Sequence, residues 1–189
     1  MFYKSLVRYT AKRRVIAILL MAFSPALTAR GQHSGDWIKY QSKEGRYSVR
    51  LPKEPTLSTE TTTAKTGEKL AQYVALSAEG DGLFYVSYSD YLTDMTFSFD
   101  DARDGMLRAA TGTLISESPI SLGGAPGREL RVLIKGPNDA EYIDRLRFYD
   151  VGGRVYLLQY FFPRSGEDSA LVKSKAERFF GSFKVDTGP

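Results

Sequence analysis

Several groups of side chains could do chemistry, and the glycine-rich stretch Leu122-Gly123-Gly124-Ala125-Pro126-Gly127-Arg128-Glu129-Leu130 is the first. A phosphate cradle needs backbone N–H groups at the start of a helix, with Gly-Lys-Ser/Thr closing the loop. Here Gly127 is followed by Arg128-Glu129-Leu130, and then Val132 and Ile134 continue at strand spacing. The stretch therefore reads as a hairpin, with Pro126-Gly127 as a type II turn, and a nucleotide site is excluded. His33 is the only histidine. It lies in a polar segment that cannot hold a catalytic base within reach of its proton, and without cysteine or a second histidine a zinc site has almost no ligands to use. Asp90, Asp94, Asp100, Asp101 and Asp104 supply oxygen ligands of the kind calcium takes. Their spacing is not that of an EF-hand, and Asp100 and Asp101 suit the positive end of a helix.

The last group depends on strand register. If residues 136–140 make a tight connection, Arg131 lies near Arg145 and Glu129 near Arg147 on one sheet face. Across the following hairpin Arg147 then faces Tyr156, with Arg145 near Leu158. Guanidinium over tyrosine is a cation–π arrangement, so Glu129, Arg131, Arg145, Arg147 and Tyr156 form the candidate binding patch. An anionic group or a partner protein is the ligand class that suits it.

These residues must be positioned by an α+β domain. Tyr47, Val49 and Leu51 alternate with polar residues as in a half-buried strand, and Pro52 and Pro55 stop that run. The threonine-rich stretch 56–64 suits an exposed edge strand. Strands over 70–77 and 83–91 follow, joined at Glu79-Gly80-Asp81-Gly82. Phe99, Ala102, Met106 and Ala109/Ala110 recur at helical spacing, with Ser98 or Asp100 as the N-cap and Gly112 near the end. Four more strands are expected over 114–122, 128–135, 141–149 and 154–162. The last of these is apolar on both faces, which marks it as the central strand. A final helix is expected from about Glu167, opened by Ser165 and ended by Gly181, with Val172, Ala176, Phe179 and Phe180 as its apolar stripe. The pattern predicts a single antiparallel sheet with two main helices packed on it.

The N-terminus has a different composition. Lys4, Arg8, Lys12, Arg13 and Arg14 precede the apolar run Val15 to Phe23, and small residues follow up to Ala29. That order is a secretory signal peptide, with cleavage expected after Ala29 or, alternatively, Ala26. The run is shorter than the roughly 20 residues a membrane-spanning helix needs, so no permanent anchor is expected after cleavage. The leader holds 5 of the 26 basic residues and none of the 22 acidic ones, which leaves 21 against 22 on the rest. The basic excess thus belongs to the leader, and nucleic acid is excluded as a partner. With no cysteine there is neither a disulfide frame nor a lipid-modified N-terminal thiol. The expected organisation is 1–29 signal peptide, 30–36 disordered lead-in and 37–185 a single domain.

Tyr47-Ser48-Val49-Arg50-Leu51-Pro52, Tyr85-Val86-Ser87-Tyr88-Ser89-Asp90, the glycine loop with Arg128-Glu129, Tyr149-Asp150-Val151-Gly152-Gly153-Arg154-Val155-Tyr156 and Phe179-Phe180-Gly181-Ser182-Phe183 together resemble the PsbP-like fold superfamily. The resemblance implies an antiparallel sheet between helices, an α/β/α sandwich used mostly as a non-catalytic binding or accessory module. It supplies no catalytic residues. The function expected is that of an exported binding module, periplasmic or secreted, without cofactor or metal. Its partner is an envelope protein or, as the alternative, a small anionic ligand or lipid held on the Arg/Tyr patch. An enzyme would have to be built on the Asp90–Asp104 carboxylates.

Overall fold

The computed structural model describes residues 36–64, 67–91 and 96–186. The leader, most of the lead-in with His33, and Asp94 lie outside the described residues. The chain runs β1 (Ile38–Ser42), β2 (Tyr47–Leu51), β3 (Thr56–Thr63), β4 (Lys69–Glu79), β5 (Gly82–Asp90), α1 (Phe99–Ala110), β6 (Thr113–Leu122), β7 (Ala125–Lys135), β8 (Glu141–Val151), β9 (Arg154–Pro163), α2 (Ala170–Ser182) and β10 (Lys184–Val185). Strands β3 to β9 form one antiparallel sheet of seven in the order β3-β4-β5-β9-β8-β7-β6. The threonine-rich strand is at one edge and β9 is in the middle, as their compositions predict.

The expectation of a single sheet is corrected by a second one. β1, β2 and β10 make a three-stranded sheet, and the cause is visible in β2. Tyr47, Ser48, Val49 and Leu51 are all buried, so β2 must be covered on both faces. Pro52 follows at once and prevents further pairing, so the chain crosses to the large sheet. After α2 the chain returns, and Lys184 and Val185 pair with Ser48 and Tyr47.

The layers follow from strand alternation. On one face Met106 of α1 packs with Leu130, Val132, Ile134, Leu146, Phe148 and Leu157. On the other, Phe179 and Phe180 of α2 meet Tyr156, Leu158, Tyr160 and Phe162 of β9, together with Tyr47, Val49 and Leu51 of the small sheet. β9 feeds both cores, which is why it has no polar face.

Both helices are capped by serines. Ser98 Oγ accepts the Asp101 N–H at 3.2 Å, and Thr111 ends α1 in the left-handed region at φ 49°. The second helix starts later than its pattern predicts. Residues 164–166 form a 3₁₀ turn, and it is Ser169 Oγ, not Ser165, that accepts the Val172 N–H at 3.2 Å. Nor does Gly181 end the helix. Ser182 is its last residue, and its hydroxyl donates to Phe179 O at 2.9 Å while accepting the Arg50 N–H at 2.8 Å. That serine ties α2 to the small sheet.

Candidate functional site

The glycine loop reverses the chain three residues earlier than Pro126-Gly127. Leu122 pairs with Ala125, and Gly123 and Gly124 form the turn at φ 57° and 88°. Positive φ at both central residues is the hairpin geometry that glycine adopts without strain. Pro126 and Gly127 are already in β7. Gly127 serves a different purpose there: an added Cβ would stand 2.5 Å from the Phe148 carbonyl oxygen and 2.6 Å from the Tyr149 ring.

The register then places the patch. Glu129 is opposite Arg147 and Arg131 opposite Arg145. Across the next hairpin, however, Arg147 faces Leu158, Arg145 faces Tyr160, and Tyr156 is opposite Tyr149. The two-residue offset arises because the strands extend to Val151 and Arg154, leaving only Gly152 and Gly153 (φ 56° and 88°) as the turn. Tyr156 is therefore absent from the patch. It is 1% exposed, its hydroxyl donates to Gly45 O at 2.8 Å, and Tyr47 and Phe183 pack against its ring. The ring beneath the arginines comes from α2: Arg147 is 4.7 Å and Arg145 5.7 Å from the Phe180 centroid.

The guanidinium groups are also engaged by carboxylates. Glu129 accepts from Arg147 at 2.5 Å and from Arg145 at 3.2 Å, and Glu167 accepts from Arg131. Arg145 and Arg147 share one carboxylate, while Arg131 has Glu167 and, at longer range, Asp168. The geometry mainly pins the two ends of the α2 segment to the sheet, with a part-exposed cationic rim above.

The aspartates do not converge. Asp90 is on the small-sheet face, where Arg154 grips it at 2.5 and 2.7 Å. Those hydrogen bonds hold its carboxyl below the usual carboxylate range. Asp100 and Asp104 lie on α1, across the sheet, in contact with Arg103. Among the described residues no three metal-binding side chains gather.

A different surface has the shape of a binding site. A groove of about 680 Å³ opens beside β3, lined by Leu57, Ser58 and Thr59 of β3, by Tyr73 of β4 and Tyr88 of β5, and by Tyr40 and Tyr47 of the small sheet. Tyr73 stacks on its cross-strand partner Tyr88 at 4.9 Å. Arg154 closes the inner end, 4.5 Å from the Tyr88 centroid and donating to Glu44 O at 2.7 Å. Burial raises the pKa values of the Tyr40 and Tyr88 hydroxyls, so the tyrosines stay neutral hydrogen-bonding groups. Sequence reasoning missed this groove because its walls come from two sheets. The only local signal is a tyrosine in nearly every strand of the first half.

Asp144 was also missed. It faces α1's side of the sheet, 1% exposed, with Oδ2 accepting from Gln159 at 2.6 Å and Oδ1 without a hydrogen-bond partner. Burial pushes its carboxyl up to about 7.

The order of strands and the helix on each face can be set beside known structures. Cyanobacterial PsbP (CyanoP) from Synechocystis sp. PCC 6803, solved in solution, superposes with a TM-score of 0.56 over 84% of this chain and 97% of that one, at 17% identity. The chain has a PsbP-like fold. At this identity the likeness is one of fold alone. The protein PA94 from Pseudomonas aeruginosa (TM-score 0.41, 13% identity, 76% of this chain and 95% of that one) also matches. So does a protein from Bacteroides thetaiotaomicron VPI-5482 (0.45, 14%, 81% and 49%). The sequence matches no family profile and no curated protein. Among the described residues of this PsbP-like chain no helix is long and apolar enough to cross a membrane.

Proposed function

We propose that the protein is an exported, non-catalytic binding module that engages a partner protein of the cell envelope through the tyrosine-lined groove. The observation that supports this is the groove itself. It combines aromatic rings, which contribute large contact area at low entropic loss, with a fixed Arg154–Asp90 pair at its end. Leu57 and Tyr73, 63% and 42% exposed, are two of the four large apolar side chains exposed among the described residues, and both line it. The basic, apolar and small-residue order of residues 1–29 supports export. The competing reading is a small anion or lipid headgroup on Arg145 and Arg147. In its favour are the two part-exposed guanidinium groups, Arg145 and Arg147, that share the one Glu129 carboxylate.

Placing a photo-reactive residue at Tyr73 or at Arg145 and irradiating the exported protein in its native envelope separates the two. A defined adduct from position 73 and none from position 145 is expected. The reverse result, or anions that raise the melting temperature of the wild type but not of an Arg145→Ala/Arg147→Ala variant, would transfer the function to the patch. N-terminal sequencing of the exported form is expected to begin at Arg30.

A further inference from the structure

β3 has a second chemical property beyond the groove: an outer edge that no strand pairs among the described residues. An unpaired edge presents a row of N–H and C=O groups and is a template for another chain. Proteins blunt such edges with proline, bulges or lysine, and the far edge of this sheet is blunted in that way. β6 contains Pro119, and its register with β7 shifts between Leu114 and Ser116. β3 has neither device. Its residues Thr56 to Thr63 pair with Leu76 to Lys69 without any shift, and the strand is TLSTETTT, with no proline, lysine or glycine. Five β-branched threonines hold it extended.

We infer that the outer edge of β3 accepts an extended segment of another polypeptide as an added strand, with a basic residue opposite Glu60 and an apolar side chain over Leu57 and Tyr73. This rests on the groove's being the binding surface, and it names what is bound there. The two apolar positions follow from register: Leu57 is opposite Ala75 and Thr59 opposite Tyr73, so Leu57 and Tyr73 are diagonal neighbours on the groove face. An added strand places every second side chain over that pair. The basic position follows from charge, because Glu60 is the only charged residue of β3.

Glu60 also argues against a second copy of this chain. Two antiparallel β3 strands related by a twofold axis must pair residues of equal parity. In the two longest such registers Glu60 is directly opposite, or diagonal to, its own copy, and like charges in those positions destabilise. A basic segment of a different protein removes that conflict.

The test pans a displayed library of random peptides against the exported protein. Enriched peptides are then synthesised unmodified and with alternate backbone amides N-methylated. Strand addition predicts that the unmodified peptides slow amide exchange across Thr56–Thr63 and that N-methylation weakens binding about tenfold or more, the loss of one or two net hydrogen bonds. Glu60→Lys is expected to reverse the preference from basic to acidic peptides. If the N-methylated forms bind equally and Tyr73→Ala abolishes binding, strand addition fails while the groove remains the binding surface. If no peptide is enriched, either on the exported protein or on a form lacking residues 30–35, both readings fail. A free protein that sediments as a dimer with β3 already protected would assign the edge to a second copy. If deleting residues 30–35 exposes β3 to peptides that otherwise do not bind, the edge is occupied by the chain's own lead-in.

Discussion

The two ends of the seven-stranded sheet are built on opposite principles. At the β6–β7–β8 end the charges point at one another: Glu117 accepts from both Arg103 and Arg128, Asp100 joins the same group, and Glu129 and Glu167 hold the arginines under α2. Both helices are fastened there, and the edge carries a proline and a bulge. At the β3–β4–β5 end α2 reaches only the inner strands, through Lys175 to Glu79 at 2.8 Å and Phe179 against Phe84. Among the described residues the outer strand β3 makes no ion pair, its edge is regular, and aromatic rings line an open groove. The lesson concerns arginine. A cluster of guanidinium groups on one face looks like a ligand site, but here it is the fastening of a helix. The surface we propose for binding offers backbone and ring contacts, which lose less to solvent screening and internal pairing.

If that contrast is right, changes at the closed end alter stability and leave binding alone, while changes at the open end do the reverse. The largest effect is expected at Asp144. Its carboxyl titrates near 7 in the folded chain against a usual value of 3.8. The folded state therefore holds its proton more tightly, so stability is greatest below the unfolded value and falls as pH rises to about 7. Asp144→Asn keeps the acceptor toward Gln159 and cannot ionise. Denaturant melts should show the variant equal to wild type near about pH 4 and more stable by about 4 kcal/mol near about pH 8. A wild type with flat stability over that range would show that the site is solvated. Gly127→Ala comes next. The added methyl meets the Phe148 carbonyl and the Tyr149 ring, so a loss of about 3 kcal/mol is expected. Gly124→Ala meets no neighbour but carries a φ of 88°, and about 1 kcal/mol is expected there. Equal losses would mean that the loop, not the strand contact, sets the register. Glu129→Gln leaves Arg145 and Arg147 without their shared carboxylate, and calorimetry should show a loss of about 1 kcal/mol. Peptide or partner binding should be unchanged. Tyr73→Ala is the smallest on stability, within about 0.5 kcal/mol. Even so, it should remove the adduct or peptide signal at the groove. A large drop in melting temperature with binding retained would invert the comparison.

Much of the strand order was legible because strand periodicity is local. The strand over 47–51 and the two-faced apolar run 154–162 follow from side-chain spacing. The turns were misplaced: the first lies at Gly123-Gly124 and not Pro126-Gly127, and the second needs only Gly152 and Gly153. Of the candidate patch, the pairing of Glu129 with Arg147 and of Arg131 with Arg145 was readable, since it depends on one short connection. Tyr156 was misplaced because a hairpin two residues tighter than expected shifts every cross-strand neighbour. Phe180, which takes its role under the arginines, is on a helix whose docking no local pattern specifies. The start of α2 was misread for a similar reason: Ser165 and Ser169 are both serines suited to capping, and Ser165 is taken up in the 3₁₀ turn 164–166, which leaves Ser169 as the cap.

From residue order alone come the α+β class, the central strand, the exposed threonine edge, the exclusion of a nucleotide loop and the reading of residues 1–29 as a leader. Each depends on neighbours within a few residues, or on composition. The second sheet, the burial of Asp144 and the groove between β3 and the small sheet were decided only by the tertiary structure. All three join segments far apart in the chain, and burial, which shifts a carboxyl or turns a tyrosine into a wall, is a property of the packed whole.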